Sequence, residues 1–185
     1  KQGLEMDKKK VDSLLLCVGY QKVRLVNTGK GSSLLKENPC IMLDFNAIAQ
    51  GYTADVIAEY FNKKGMSNYL IEIGGEVRAS GTKNDNTNWM VGIEKPADSS
   101  NAEQVVYEKV ELINKSLATS GNSRKFFIKD GVKYSHTLDP ATGYPVHHSL
   151  LSVTVLADDC TSADAYATAF MVMGLEKAKE FIKTH

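Results

Sequence analysis

Asp164 and Thr168 stand four residues apart in the run Asp158-Asp159-Cys160-Thr161-Ser162-Ala163-Asp164-Ala165-Tyr166-Ala167-Thr168. On a helix they share one face. Their oxygens are the hard donors that Mg²⁺ or Ca²⁺ prefers to sulfur or nitrogen. The same run carries a competing account. Thr161-x-x-Asp164 has capping-box spacing, which would tie Asp164 to a backbone N–H instead.

Four further runs have residue types suited to chemistry. In Asp44-Phe45-Asn46-Ala47-Ile48-Ala49-Gln50-Gly51 an apolar stretch ends in an acid and a helix begins. A helix start exposes backbone N–H groups that favour phosphate, although Asp44 or Asn46 can equally be a simple cap. In Ile71-Glu72-Ile73-Gly74-Gly75-Glu76 the paired glycines let a ligand approach the backbone closely, or else make an ordinary turn. No helix follows them, so they are not a dinucleotide fingerprint. Leu117-Ala118-Thr119-Ser120-Gly121-Asn122-Ser123-Arg124 reads as a polar loop entering a hairpin. Its hydroxyls can donate together, and Arg124 suits a bidentate grip on phosphate. In His136-Thr137-Leu138-Asp139-Pro140-Ala141-Thr142-Gly143-Tyr144-Pro145 a strand delivers a histidine and an aspartate into a turn. Such loops often hold functional residues, and Asp-Pro is also a plain turn starter. His147 and His148 are expected at the surface. As sequence neighbours they share no helix or strand face, so they do not pair as ligands.

The elements that must position these residues follow from periodicity. Asp7 to Leu16 reads as a short helix and Lys22 to Val26 as a strand. A loop is expected at Gly29, Gly31, Ser32 and Ser33, and Cys40 to Phe45 looks like the end of a buried strand. Ala49, Tyr52, Val56, Ile57, Tyr60 and Phe61 lie at the 3.6-residue period and predict an amphipathic helix ending near Gly65. Tyr69 to Ile73 predicts a strand that Val77 to Ala79 continue beyond the glycines. Further strands are expected at Trp89 to Ile93, Val105 to Ile113 and Leu150 to Leu156. Arg124 to Ile128 and Val132 to His136 flank Lys129-Asp130-Gly131, a strong hairpin signal. Ser162 to Met173 and Leu175 to Thr184 predict two helices broken at Gly174. Strands in consecutive runs with few helices between them favour an α+β fold with largely antiparallel sheet.

Composition sets the outer limits. The 185 residues are 43% apolar and 24% charged, ordinary usage for a globular chain, and their number makes one domain the prior expectation. Lys plus Arg equals Asp plus Glu at 22 each, so no global field recruits a polyanion, and nucleic acid is not an expected partner. No stretch approaches the ~20 apolar residues that span a bilayer. Three widely spaced cysteines, Cys17, Cys40 and Cys160, suggest neither a disulfide framework nor a zinc knuckle. That suits a reducing compartment, or an oxidising one in which the fold needs no staple.

Taken in order, the five runs resemble the ApbE family of flavin transferases, the FAD:protein FMN transferases. The family's aspartate, Ile-Ala, Gly-Tyr and later acid are similar to Asp44 through Asp55. Its Gly-Gly-acid strand end is similar to Ile73-Gly74-Gly75-Glu76. Its Ala-Thr-Ser-Gly segment appears at Ala118 to Gly121 with Arg124 following. Its His-x-x-Asp-Pro-x-Thr-Gly-x-Pro is matched in full from His136 to Pro145, and its Ala-Asp-Ala-x-x-Thr from Ala163 to Thr168.

The resemblance implies one ApbE-like (T-fold-like) α+β domain over residues 1–185, lacking the family's N-terminal portion and C-terminal tail. Apolar faces that those parts cover are then expected to lie open. It implies Mg²⁺-dependent transfer of FMN from FAD to a threonine hydroxyl of an acceptor protein, with AMP as the other product. The metal ligands would be the Ala47 carbonyl and the side chains of Asp164 and Thr168. His136 would sit beside the pyrophosphate, and His136 and Asp164 are the catalytic candidates. Asp44, Gln50, Gly75, Glu76, Ser120, Arg124 and the backbone at Leu138 would contact the flavin nucleotide. Gln50 stands where the family usually has a charged residue, and Ala167 where some members have another acid. The implied acceptor is a subunit of a membrane redox complex. The implied location is the periplasm or the outer face of the cytoplasmic membrane, as an exported or lipid-anchored protein. Two rival functions share these residues: Mg²⁺-dependent FAD pyrophosphatase, with water as the acceptor, and a flavin-binding module without turnover.

Overall fold

The computed structural model describes residues 7–29, 31–96, 105–121, 126–129, 132–135, 137–146 and 148–185, with backbone alone in 126–129 and 132–135. The candidates Arg124 and His136 lie outside these residues. The chain forms two compact units, residues 1–44 with 138–145, and residues 45–137 with 146–185.

The first unit opens with helix α1 (Lys8–Leu15), whose N-cap Asp7 accepts from the N–H of Lys10 at 2.8 Å. At the other end the Lys22 ammonium donates to the carbonyls of Leu16 and Val18, each at 2.8 Å, which satisfies acceptors that a helix end leaves open. Strands β1 (Val23–Asn27) and β2 (Ser32–Lys36) form an antiparallel pair. Ser32 and Ser33, expected in a loop, therefore belong to a strand. Cys40 to Phe45 is not a strand. It runs on as irregular chain in which Ile41 is buried and Met42 exposed. Cys17 and Cys40 are joined by a disulfide, although the count and spacing of the cysteines suggested no disulfide framework. A separation of 23 residues carries no pairing signal in the sequence, and only folding brings the end of α1 to the turn after β2. The Leu138–Pro145 segment is a closed turn. Asp139 accepts from the N–H groups of Ala141 (2.8 Å, side chain) and Gly143 (2.7 Å, carbonyl), and Leu138 bridges Pro145. Asp139 is therefore a turn-former, as the Asp-Pro pair allows.

The second unit is built on a four-stranded antiparallel sheet in the order β10-β7-β4-β3. Its strands are β3 (Tyr69–Ile73), β4 (Glu76–Ser80), β7 (Ser116–Gly121) and β10 (Ser152–Ala157). Val77 to Ala79 do not continue β3 but return beside it, because Gly74 and Gly75 both take positive φ (66° and 111°) and close a two-residue hairpin. Ala118 to Gly121, expected as a loop, lie in β7 and pair with β10. The hairpins β5 (Trp89–Glu94) with β6 (Val106–Leu112), and β8 (Phe126–Lys129) with β9 (Val132–Ser135), are also antiparallel.

Helices α2 (Ala49–Lys63) and α3 (Cys160–Met173) pack on one another and on the sheet, and α4 (Leu175–Thr184) follows the break at Gly174. One core cluster joins Ala54 and Ala58 of α2 to Tyr69, Ile71 and Cys160. Another joins Ala118 to Ala163 and Ala167. A third holds Val77, Ala79, Leu112 and Leu117 with Trp89. The α2 stripe differs from expectation. Gly51, Ala54 and Ala58 are buried, whereas Tyr52 is 59% exposed and Val56 and Tyr60 are exposed with it. Small side chains let α2 lie close against its neighbours, Ile57 and Phe61 of the expected stripe pack half-buried against the same cluster, and Tyr52, Val56 and Tyr60 face outward. His148, expected at the surface, is half-buried, its Nε2–H donating to the Met171 carbonyl at 2.6 Å. No described helix is long and apolar enough to cross a membrane.

Candidate functional site

The junction of α2 and α3 gathers most of the candidates in the second unit. Asp164 is 4% exposed, and one carboxylate oxygen accepts from the backbone N–H of Gly51 at 3.1 Å, across 113 residues of sequence. Gly51 has to be glycine here. A Cβ would collide with the Cys160 carbonyl, 2.7 Å from its carbon, and lie 2.9 Å from Asp164 Cβ. Because the Gly51 N–H turns to Asp164, it does not close on the carbonyl four residues back. Among the described residues no backbone N–H is bonded to the Ala47 carbonyl.

Thr168, one helical turn beyond Asp164, shares a 3.0 Å hydrogen bond with the Ser120 hydroxyl of β7. The sheet thus brings the third candidate run against the fifth. The first run meets the second at Gly74, where a Cβ would strike the Gln50 amide and lie 3.3 Å from its Cδ and 3.6 Å from Glu76 Oε2. Glu76 is buried, whereas a Cβ on Gly75 would meet nothing within 4 Å, so the backbone there is open to approach. Ala47, Gln50, Gly75, Glu76, Ser120, Asp164 and Thr168 all belong to this unit. Asp44, which is exposed, and Leu138, also exposed, belong to the first unit. Ala167 is fully buried in the cluster with Ala118 and Ala163, so its side chain serves the core.

The capping-box alternative for Asp164 does not hold. The N-cap of α3 is Asp159, whose carboxylate accepts from the Ser162 N–H at 2.7 Å and the Ser162 hydroxyl at 2.9 Å. Asp164 is left for the α2 contact. Replacing the cap, Asp159→Ala, is expected to cost about 1 kcal/mol in a urea titration while leaving Mg²⁺ affinity within twofold of the parent. A tenfold loss of Mg²⁺ affinity would mean that Asp159, not Asp164, is the acid that matters.

Burial pushes the Asp164 carboxyl above its ordinary range, the Gly51 N–H pulling more weakly the other way. A cation beside it would favour the ionised form. Among the described residues no three of His, Cys, Asp and Glu gather as a metal cluster. The donors in this unit are of another kind: one buried carboxylate, a hydroxyl one turn further along α3, and the carbonyl of Ala47, four residues before Gly51. All are hard oxygens, with the rest of the shell left to water or substrate phosphate, which is the usual manner of Mg²⁺. The residues therefore fit such an ion. The Cys160 thiol, fully buried under the same junction, is pushed up to about 12, first by burial and then by the nearby acids Asp55, Glu76 and Asp164, so it stays protonated.

In the sequence Gly51 and Asp55 stand only as members of a run, without a role of their own. Gly51 had a visible signal, a glycine inside a helical pattern, which often marks close backbone approach. Asp55 had none, because its partners lie more than 100 residues away: its carboxylate accepts from the N–H groups of Cys160 (2.9 Å) and Thr161 (2.8 Å) and from the Thr161 hydroxyl (2.6 Å).

Comparison with known proteins identifies the family. The sequence profile of the ApbE family matches residues 1–185. A Vibrio cholerae protein named FAD:protein FMN transferase is 43% identical over 150 residues, covering 81% of this chain and 44% of that protein. One of the same name from Escherichia coli K12 is 36% identical over 173 residues, covering 94% and 48%. The flavin transferase ApbE from Vibrio cholerae superposes with a TM-score of 0.84 at 34% identity, over 100% of this chain and 56% of that one. The Pseudomonas stutzeri flavinyl transferase ApbE, apo form, gives 0.83 at 35% identity, over 97% and 53%. The chain spans about half the length of the curated relatives it matches. On the whole-length match and these identities, the chain belongs to the ApbE family.

Proposed function

We propose that this chain carries the metal and phosphate end of a flavin transferase, which moves FMN from FAD to a threonine hydroxyl of an acceptor protein and releases AMP. The observation that supports this best is the α2–α3 junction. There Gly51, one turn past Ala47, meets Asp164, and Thr168 meets Ser120. In the transfer, the threonine oxygen bonds to the phosphorus of the FMN half. The bond from that phosphorus to the bridging oxygen breaks, AMP departs with that oxygen, and the hydroxyl proton passes to a base.

Asp164, Thr168 and the Ala47 carbonyl would hold Mg²⁺, which when bound neutralises pyrophosphate charge and stabilises the leaving phosphate. The chain's own contribution is positioning. Ser120 fixes the Thr168 hydroxyl, and Gly51 fixes the Asp164 carboxylate. The open backbone at Gly75, with Glu76 and Gln50 beside it, offers a surface for the nucleotide. His136 and Asp164 are the side chains assigned to the reacting groups. The acceptor is a threonine-bearing subunit of a membrane redox complex. The location is the periplasm or the outer face of the cytoplasmic membrane. The Cys17–Cys40 disulfide supports an oxidising compartment.

The test is to incubate the protein with FAD, Mg²⁺ and an acceptor carrying the target threonine. Mass spectrometry should find FMN on the acceptor with AMP in equal amount. FMN and AMP released free, with the acceptor unmodified, would assign pyrophosphatase activity instead. FAD retained without AMP would assign a binding module.

A further inference from the structure

Asp55 sits inside α2 with its carboxylate on the first turn of the neighbouring helix. One oxygen takes the Cys160 N–H and the other takes both the N–H and the hydroxyl of Thr161. Those are N–H groups that a helix start leaves without intrahelical partners, and negative charge is favoured at that end. Asp159 already caps the same helix from within, through Ser162. Asp55 therefore adds a second clamp, from another helix, to different groups of the same turn. Behind it the Arg78 guanidinium lies 3.9 Å from the Asp55 carboxylate. It also donates to the Ser116 hydroxyl at 3.2 Å and to the Asp158 carbonyl. The network ties α2, β4, β7 and the chain entering α3 together at one point.

That point lies one helical turn from Asp164. Gly51 and Asp55 are likewise one turn apart on α2, so two successive turns of α2 grip two successive turns of α3. Asp55 holds Cys160 and Thr161, and the Gly51 N–H holds Asp164. A helix clamped at two levels can neither slide nor rotate against its neighbour, and Thr168 is carried on the same rigid element.

We infer that Asp55 is a positioning residue for the cation site: it sets the register of α3 on α2 so that the oxygens of Asp164 and Thr168 stand beside the Ala47 turn. Asp55 does not touch the ion. Arg78 supports the Asp55 carboxylate in that orientation. The inference rests on the proposed metal site at Asp164.

The experiment measures Mg²⁺ affinity by calorimetry with the metal alone, for the parent protein and for Asp55→Ala, Asp55→Asn and Asp164→Ala. It also follows the rate at which a thiol reagent labels Cys160, which lies buried at the clamp with its thiol 3.6 Å from the Val77 carbonyl. Loss of an outer partner of a metal ligand typically weakens the metal by about 10- to 100-fold. Asp55→Ala is expected to fall in that range and to label at Cys160 faster than the parent, with unchanged far-ultraviolet circular dichroism. Asp55→Asn keeps an oxygen acceptor of the same size and should fall between the two. If Asp55→Ala does not fold, the Asn variant carries the test by itself. Mg²⁺ affinity within twofold of the parent in a variant whose Cys160 labels faster would overturn the inference, because the clamp would then be released without moving the ligands. Unchanged affinity in Asp164→Ala would instead overturn the metal site itself.

Discussion

Asp164→Ala is expected to lower the proposed Mg²⁺-dependent FMN transfer by about a thousandfold or more, since a bound divalent ion supplies several kcal/mol of charge stabilisation to such a step. The larger loss should appear in kcat, with a smaller cost of about 1–3 kcal/mol to the fold because the buried Gly51 N–H loses its acceptor. Asp164 is buried, and its recorded partner is a single backbone N–H, Gly51. Asp164→Asn separates the two roles cleanly: the amide oxygen can still accept from Gly51, but the charge is gone. The Asn variant should melt within a few degrees of the parent and still lack transfer. Full transfer activity in either variant would remove Asp164 from the metal site. A pH signature accompanies this. Burial raises the Asp164 carboxyl above its ordinary 3.8. The stability associated with the neutral acid is fully present below that ordinary value and is lost as pH rises through the raised one. Mg²⁺ held at the proposed site would bind the ionised form, so its stabilising effect would run the opposite way. The rise in Tm caused by Mg²⁺ should be larger near about pH 7 than near about pH 4, and Asp164→Asn should abolish the difference.

Gly51→Ala is the second large effect, and its sign is the informative part. At an ordinary helical position the change to alanine stabilises by about 1 kcal/mol. At Gly51 a Cβ meets the backbone of Cys160 and Asp164 Cβ, at 2.7 Å from the Cys160 carbonyl carbon and 2.9 Å from Asp164. Neither neighbour is the yielding tip of a long side chain, so α2 and α3 have to separate. Overpacking of this kind costs about 1–3 kcal/mol and at backbone contacts falls at the upper end. The net expectation is a loss of about 2 kcal/mol in a urea titration, together with weaker Mg²⁺ binding, because the Gly51 N–H moves away from Asp164. A stabilised Gly51→Ala protein would show that the two helices are not in the close contact described.

Much of the scaffold was legible because it is written in local patterns. Gly174 marks the break between α3 and α4, and the strands on either side of Lys129-Asp130-Gly131 pair as a hairpin. The α+β class, too, followed from strands arriving in succession. Misreadings fall where the deciding contact is distant in sequence. In α2 the large apolar residues draw attention to one stripe, yet the helix buries the adjoining stripe of Gly51, Ala54 and Ala58 because closeness, not side-chain size, governs that interface. Polar Thr119 and Ser120 looked like loop, but β10 pairs with them and the small Ala118 beside them packs under α3. The Asp164–Thr168 pair was visible from spacing, but that Asp164 is not the cap depended on Asp159 taking that place. Asp55 was silent for the same reason that Cys17 and Cys40 were: nothing near them in the chain names their partners.

The first unit has a thin interior. Among its described residues only Val11 and Ile41 are buried apolar side chains, each under 5% exposed. The covalent link between Cys17 and Cys40 joins the end of α1 to the residue just before Ile41. A mild thiol reductant in a purification buffer would therefore change this molecule's chemistry rather than merely protect it, and batches prepared with and without one should be treated as two different materials.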